Sequence, residues 1–231
     1  MIDKSAFRSL SYGLYLVTSR EGDLKVGCVA NTFQQVTSAP PRVSVALNKE
    51  NATAQAVRET GRFAVTVLGE EATMDLIGAF GFRSSREFDK FSACSHELDV
   101  AEVPYVTSAG VARFSVRVEQ VVDVGTHLMF IGEVEEAERL SDAPPMTYAY
   151  YHTVLRGKTP PRASSFQDAE LASEPAAAAK LEPEPEPAAE RWGWQCTLCG
   201  YIEEGYPDGL PEDYACPICG VGREMFERVR L

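Results

Sequence analysis

The chain has 231 residues but only three histidines and two tryptophans, and no run approaches the roughly 20 apolar residues of a membrane span. Its opening, MIDKSAFRSL, lacks the apolar core of a secretory leader, so a soluble cytoplasmic protein with no membrane association is expected. Basic residues are in deficit: 22 Lys and Arg stand against 34 Asp and Glu, a formal net charge of −12. Nucleic-acid binding needs a basic face to neutralise phosphates, so no nucleic-acid partner is expected. An anionic membrane surface is disfavoured on the same ground. No G-x-G-x-x-G follows a strand-like run, which argues against a Rossmann dinucleotide site. No Ser/His/Asp or Cys/His arrangement for a nucleophile is visible, and hydrolysis is a poor fit.

Cysteine is present, but not as a secreted disulfide framework. Four of the six cysteines form two C-x-x-C pairs near the C-terminus, Cys196, Cys199, Cys216 and Cys219. In a cytosolic protein that pattern indicates metal ligation. Cys28 and Cys94 stand alone and are expected to be small core hydrophobes.

Composition divides the chain into 1–166, 167–190 and 191–231. The middle segment, QDAELASEPAAAAKLEPEPEPAAE, holds 8 Ala, 6 Glu and 4 Pro in 24 residues. Such a segment buries too little apolar surface to offset its ordering entropy, and its Glu-Pro repeat favours an extended linker. A short alanine-rich helix around Pro175 to Leu181 is the alternative. Net charge splits as −3, −6 and −3 across the three parts, so half the acidity lies in the tether and reports solvation, not substrate preference.

Residues 1–166 predict a mainly β domain with short helices. Tyr12–Ser19, Lys25–Ala30, Arg42–Leu47 and Phe63–Leu68 are rich in β-branched and aromatic residues. Ala112–Asp123 and His127–Glu135 form a hairpin across Val124-Gly125-Thr126. Asn51–Glu59 has a capping Asn and a closing Gly61, and Glu71–Phe80 is a second short helix. Strands with two helical excursions suggest a barrel, not a doubly wound sheet. Asn31-Thr-Phe-Gln-Gln-Val-Thr37 is expected as a polar loop. Lys49 to Thr53 leads into a helix N-terminus, where free N–H groups and the dipole favour a phosphate.

The last 41 residues carry the strongest signal. Two residues within each cysteine pair let both thiolates reach one ion, and Gly200 and Gly220 allow the tight turns. Four sulfurs make a closed tetrahedral site for which zinc and iron are both candidates, since 16 residues between the pairs also suit a zinc ribbon. A segment this small depends on its metal for much of its stability.

Cys196-Thr-Leu-Cys-Gly-Tyr201, Pro211-Glu-Asp-Tyr-Ala-Cys-Pro-Ile-Cys-Gly220 and Phe226 resemble rubredoxin, although the stretch between the pairs is shorter. The resemblance implies one iron on four cysteines, wrapped by Trp194, Tyr201, Tyr214 and Phe226. Gly13-Leu-Tyr-Leu-Val-Thr18, the NTFQQVTSAPP loop, Lys49–Thr53, Phe88-Asp-Lys-Phe91, Gly125-Thr-His127, Phe130-Ile-Gly-Glu-Val134 and Tyr148-Ala-Tyr-Tyr-His152 resemble the flavin reductase family. That family's FMN-binding split barrel implies a homodimer, with phosphate held by Thr37, Lys49, Asn51 and Thr53. The same resemblance lines the flavin ring with Asn31, Thr32, Phe33 and Val36, and gives His127 a flavin or nicotinamide contact. Many members have Gly-Asp-His where this chain has Gly125-Thr126-His127, so any role of that acid is absent here. The pairing of the two domains resembles the high-molecular-weight rubredoxins of anaerobic bacteria.

The resemblance implies an oxidoreductase relay, NAD(P)H to FMN to iron to an acceptor such as a flavodiiron oxygen or nitric oxide reductase or a rubrerythrin. Two alternatives are a flavin reductase supplying a monooxygenase through a zinc docking module, and a pure electron carrier with no nicotinamide site.

Overall fold

Sequence-local chemistry accounts for most of the strands. In the computed structural model, which describes residues 2–166, 192–206 and 208–230, β1 (Tyr15–Glu21) turns at Gly22 into β2 (Leu24–Ala30). Next come β3 (Gln34–Ser38), β4 (Pro41–Asn48), helix α1 (Ala52–Thr60) and β5 (Arg62–Leu68). Helix α2 (Met74–Phe82) precedes the small ribbon of β6 (His96–Leu98) and β7 (Pro104–Val106). The long hairpin of β8 (Gly110–Asp123) and β9 (His127–Arg139) then leads to helix α3 (Tyr148–Thr153). Seven strands form one antiparallel sheet in the order β2-β1-β5-β8-β9-β4-β3.

The sheet curls so that strands from both halves share one core. Val17 of β1, Val45 of β4, Val65 of β5 and Phe130 of β9 are fully buried in the same cluster. Thr32 stitches the gap between the sheet's halves: its Oγ1 donates to Ala46 O at 3.0 Å and accepts from Ala46 N at 3.1 Å. Phe33 plugs the same region, 5.3 Å from the Tyr15 ring and 5.5 Å from Phe114. α1 closes one end, with Asn51 capping it by accepting from Thr53 N and Gly61, at φ 66°, terminating it. A second core forms where α2 and α3 cover Leu14, Leu16 and Leu68, burying Ile77, Phe80, Met146 and Tyr151. The expected mainly β split barrel with short helices is the observed fold.

Local details differ from the sequence expectation. β1 starts at Tyr15, not Tyr12, because Tyr12 O and Leu14 N are engaged by Tyr148 N and Met146 O at the head of α3. α2 starts at Met74, since Thr73 acts as its cap by accepting from Leu76 N. The expected polar loop 31–37 is a strand from Gln34, an exposed edge strand whose partner β4 supplies its hydrogen bonds. β9 runs to Arg139, beyond its apolar pattern, because opposite charges face each other across the hairpin. Arg117 pairs with Glu133 and Glu135 at 2.7 and 2.9 Å, and Arg113 with Glu136 and Glu138 at 2.9 and 3.0 Å. Cys28 is buried as expected, whereas Cys94 is half-buried at the edge of the second core. The expected linker, with its alternative short helix, lies outside the described residues.

The C-terminal module is a three-stranded sheet, β11 (Ile202–Glu203), β10 (Trp192–Cys196) and β12 (Phe226–Arg230). Its core gathers Trp194, Tyr201, Tyr214 and Phe226 around the cysteines, the four aromatic positions expected.

Candidate functional site

The two cysteine pairs fold into matching turns. Gly200 N donates to Cys196 O at 2.9 Å and Gly220 N to Cys216 O at 2.8 Å, with both glycines in the left-handed region at φ 86° and 80°. A side chain at either position would strain the turn that brings the second sulfur round. The four Sγ atoms lie within 4.8 Å of one another. Cys196 and Cys219 sulfurs are 3.7 Å apart, and Cys199 and Cys216 sulfurs 3.5 Å. Those separations are too long for a disulfide and close to the roughly 3.8 Å edge of a tetrahedron with 2.3 Å metal–sulfur bonds. Cys216 is held below the usual thiol range by the hydrogen bond from Cys199 and by the Cys219 and Ile218 backbone N–H groups. The same sulfur contact pushes Cys199 up, because a second thiolate beside the first is opposed. A cation removes that opposition, so the donor set fits one thiophilic metal.

Beside this centre the barrel carries a cleft of about 360 Å³, a size usual for a bound small molecule. Asn31, Asn51 and His127 line it, together with Asn48, Lys90, Tyr148, Tyr151, Ser84 and Ser85. Burial pushes His127 down, so its imidazole is neutral near pH 7. Lys90 is 3% exposed, and its Nζ donates to Gly27 O at 2.7 Å and Phe80 O at 3.1 Å. Among the described residues no carboxylate pairs with it. Burial pushes its ammonium down to about 8. A buried cation without an anion is costly, and an anionic ligand in the cleft offsets that cost.

The expected phosphate residues are divided. Thr53 is fully buried behind α1's first turn, and its Oγ1 is the one buried side-chain polar atom without a partner among the described residues. Lys49 borders an adjoining pocket with Asn48, Thr126 and His127, and pairs with Asp123 at 2.6 Å. That pairing, ahead of the Gly125 N–H, holds Asp123 below the usual carboxylate range. Thr37 Oγ1 instead donates to Pro40 O at 2.6 Å on β3, and Val36 is exposed on the same strand. Thr32 and Phe33 are spent on closing the barrel. Of the nine non-metal site residues expected, the main cleft of this single chain gathers three, with Lys49 next to it and Thr53 beneath.

Several lining residues have no signal in local sequence. Pro160 to Ser164 cross the cleft mouth, held by Asn31 Nδ2 donating to Ser165 Oγ at 2.7 Å and Ser164 Oγ donating to Asn31 Oδ1 at 3.2 Å. Lys90 belongs to the Phe88-Asp-Lys-Phe91 motif, but only its burial marks it out. His152 is packed between Tyr148 and Tyr151 and bonded to Gly157 O at 2.7 Å, away from the lining. Leu198, from the first cysteine turn, forms part of the cleft wall.

The unpaired Thr53 hydroxyl, the buried Lys90 and the amide-lined walls suit an anionic aromatic cofactor, and the adjacent sulfurs suit iron. Together fold and site define a two-centre oxidoreductase, carrying flavin and a four-cysteine iron centre and built for electron transfer. The flavin reductase like domain family matches residues 7–158, and the rubrerythrin, rubredoxin-like domain family matches residues 194–227. High molecular weight rubredoxin of Moorella thermoacetica is 39% identical over 99% of this chain and 100% of its own length. Ferric-chelate reductase (NAD(P)H) of Archaeoglobus fulgidus is 47% identical over 71% of this chain and 98% of its own. Among solved structures, a putative oxidoreductase from Sinorhizobium meliloti 1021 superposes with a TM-score of 0.57 at 27% identity, covering 64% of this chain and 51% of that one. Flavin reductase HpaC shares the fold, with a TM-score of 0.55 at 23% identity over 63% of this chain and 90% of its own. The chain belongs to the flavin reductase-like family, in the form that is fused to a rubredoxin-like domain.

Proposed function

We propose that the chain passes electrons from NAD(P)H through FMN in the cleft to iron on Cys196, Cys199, Cys216 and Cys219, and on to an acceptor protein. The observation that carries this reading is the shared wall: Leu198 of the metal-binding turn lines the cleft that Asn31, Asn51, His127 and Lys90 also line. Flavin supplies the conversion between hydride transfer and single-electron transfer. The chain supplies the setting. Lys90 places a positive charge under the cleft and favours added negative charge there. His127, neutral by burial, offers a hydrogen bond without a charge. A phosphate at α1's N-terminus would meet Asn51 and Lys49, with the Thr53 hydroxyl beneath the first turn.

Val36 and Thr37 lie on the exposed edge strand β3, so a role toward flavin would come from a second copy. Val36, Val121, Val122 and Val124 are 49, 44, 41 and 50% exposed, apolar surface that supports a homodimer. Four cysteines kept as thiolates suit the reducing cytoplasm. No helix among the described residues is long and apolar enough to cross a membrane. A flavodiiron or rubrerythrin-class enzyme is the acceptor proposed, since each consumes electrons that a one-electron centre delivers.

Anaerobic rapid mixing with NADH and with NADPH tests the reading. Loss of flavin colour followed by loss of ferric-thiolate colour is expected. A protein whose iron stays ferric after its flavin is reduced would refute the relay. The 47% identity to a ferric-chelate reductase favours a second outlet, direct reduction of a ferric chelate at the cleft. Retained chelate reduction in a Cys199→Ser chain is the expected sign of it.

A further inference from the structure

The two cysteine turns have the same chemistry, yet the barrel treats them differently. The first is covered: Cys199 and Gly200 are buried, and Leu198 lines the cleft. Lys158 Nζ donates to Thr197 O at 3.4 Å, and Gly200 passes so close that a Cβ there would lie 2.6 Å from Arg156 O. The second turn is gripped only at its middle. Arg83 donates from Nε to Ile218 O at 3.0 Å and from its terminal nitrogen to Pro217 O at 2.9 Å. The Arg83 guanidinium is itself fixed over the Phe88 ring, 4.4 Å from its centre. Ile218 sits on Gly78 of α2, where an added methyl would overlap Ile218 Cγ2 and come within 3.2 Å of Ile218 Cβ and 3.5 Å of its carbonyl oxygen. A glycine inside a helix costs about 1 kcal/mol relative to alanine, and here its missing side chain makes room for the module. Past this grip, Cys219 is half-buried and Gly220 exposed, so this end of the turn still meets solvent.

We infer that the docked module is wired through: electrons enter the metal centre from the cleft by the Leu198 turn and leave by the Cys219 edge, with Gly78 and Arg83 as the positioning residues. The inference rests on the proposed relay and adds its direction. Each hydride brings two electrons and the iron holds one. Ferric ion is therefore reduced to ferrous and reoxidised by the acceptor twice per hydride, and the one proton left from the hydride passes to solvent. The acceptor approaches an edge that docking leaves open, so the module need not leave the barrel between steps.

The test uses the full chain in two forms. In zinc-loaded protein, amide hydrogen exchange reports docking without any redox chemistry. In iron-loaded protein, photochemical reduction of the flavin starts internal transfer without a nicotinamide, and cytochrome c serves as the external one-electron acceptor. Gly78→Ala is expected to raise exchange at residues 197–200 and to slow internal transfer about tenfold. Adding Ile218→Ala to Gly78→Ala removes the overlapping Cγ2 while leaving Cβ 3.2 Å from the new methyl, and is expected to recover part of both. Val221→Lys, at a half-buried position next to Gly220 from which a long side chain can reach solvent, is expected to leave exchange at 197–200 and internal transfer alone. It should slow reduction of the basic cytochrome several-fold at low salt, with the loss screened at high salt. Unchanged exchange and internal rate in Gly78→Ala would overturn the assigned entry. An unchanged cytochrome rate in Val221→Lys would overturn the assigned exit. Failure of both nicotinamides to reduce the flavin would sink the donor reading alone, because neither of these measurements uses them.

Discussion

Lys90 offers the sharpest test of how the cleft is built. Its ammonium is buried against two carbonyls with no carboxylate partner among the described residues, and burial brings it from the ordinary 10.5 down to about 8. Below pH 8 the group is charged in both folded and unfolded chains, and the folded state bears the full cost of burying it. Between pH 8 and 10.5 the folded chain has released a proton that the unfolded chain still binds. Stability from this group therefore rises with pH through that window. The difference amounts to about 3 kcal/mol. Lys90→Met removes the titration, while leaving the Gly27 and Phe80 carbonyls short of a donor at every pH. The absolute stability of the variant is thus a mixture of effects, but the pH slope is not. Denaturant unfolding of apoprotein, wild type against Lys90→Met at pH 7, 8.5 and 10, isolates it. The wild type should gain on the variant by about 2.5 kcal/mol across the series, the rest of the difference lying above pH 10. With FMN bound, the nearby anion should pull Lys90 back up and shrink the gain. Parallel pH profiles for the two apoproteins would refute the placement of a buried, unpaired cation beneath the cleft.

Thr53→Val replaces a buried, unpartnered hydroxyl by a methyl, and should stabilise the apoprotein by about 1 kcal/mol or more while weakening FMN binding. Lys49→Ala should weaken FMN binding by a smaller factor, since the ammonium already shares its charge with Asp123; FMN titrations of both variants compare them. Metal analysis of protein from iron-replete cells should give one iron per chain, and stoichiometric zinc would exclude the relay. Cys199→Ser should lose that metal and with it the fold of residues 192–230, read as collapse of amide protection there. Arg83→Gln removes two charge-assisted bonds to the second turn, worth about 2 kcal/mol after solvent competes for the carbonyls, and should raise exchange at Ile218 and Cys219.

The metal centre was legible because its information is local. Two residues between cysteines and a glycine after each pair are enough to build one turn, and two such turns need only meet to make four ligands. The helix cap at Asn51 and the stop at Gly61 were legible for the same reason: each depends on neighbours in the chain. The cleft was not. Asn31, Asn51 and His127 come from three separate elements, and the curl of the sheet decides which faces converge. Val36 and Thr37 belong to the same quoted loop as Asn31, yet pairing with β4 turns that stretch into an edge strand and carries them out of the cleft. Lys90 reads as an ordinary surface lysine until α2 and β2 close over it. The sequence by itself determined that four cysteines hold one metal, since ligand type and spacing are properties of short segments, while flavin and iron came from the resemblance to two families. Only tertiary structure decided that the first cysteine turn faces the cleft while the edge at Cys219 meets solvent. That choice depends on Gly78 leaving room for Ile218 and on Arg83 reaching carbonyls more than 130 residues away, contacts that exist only once the two domains have packed.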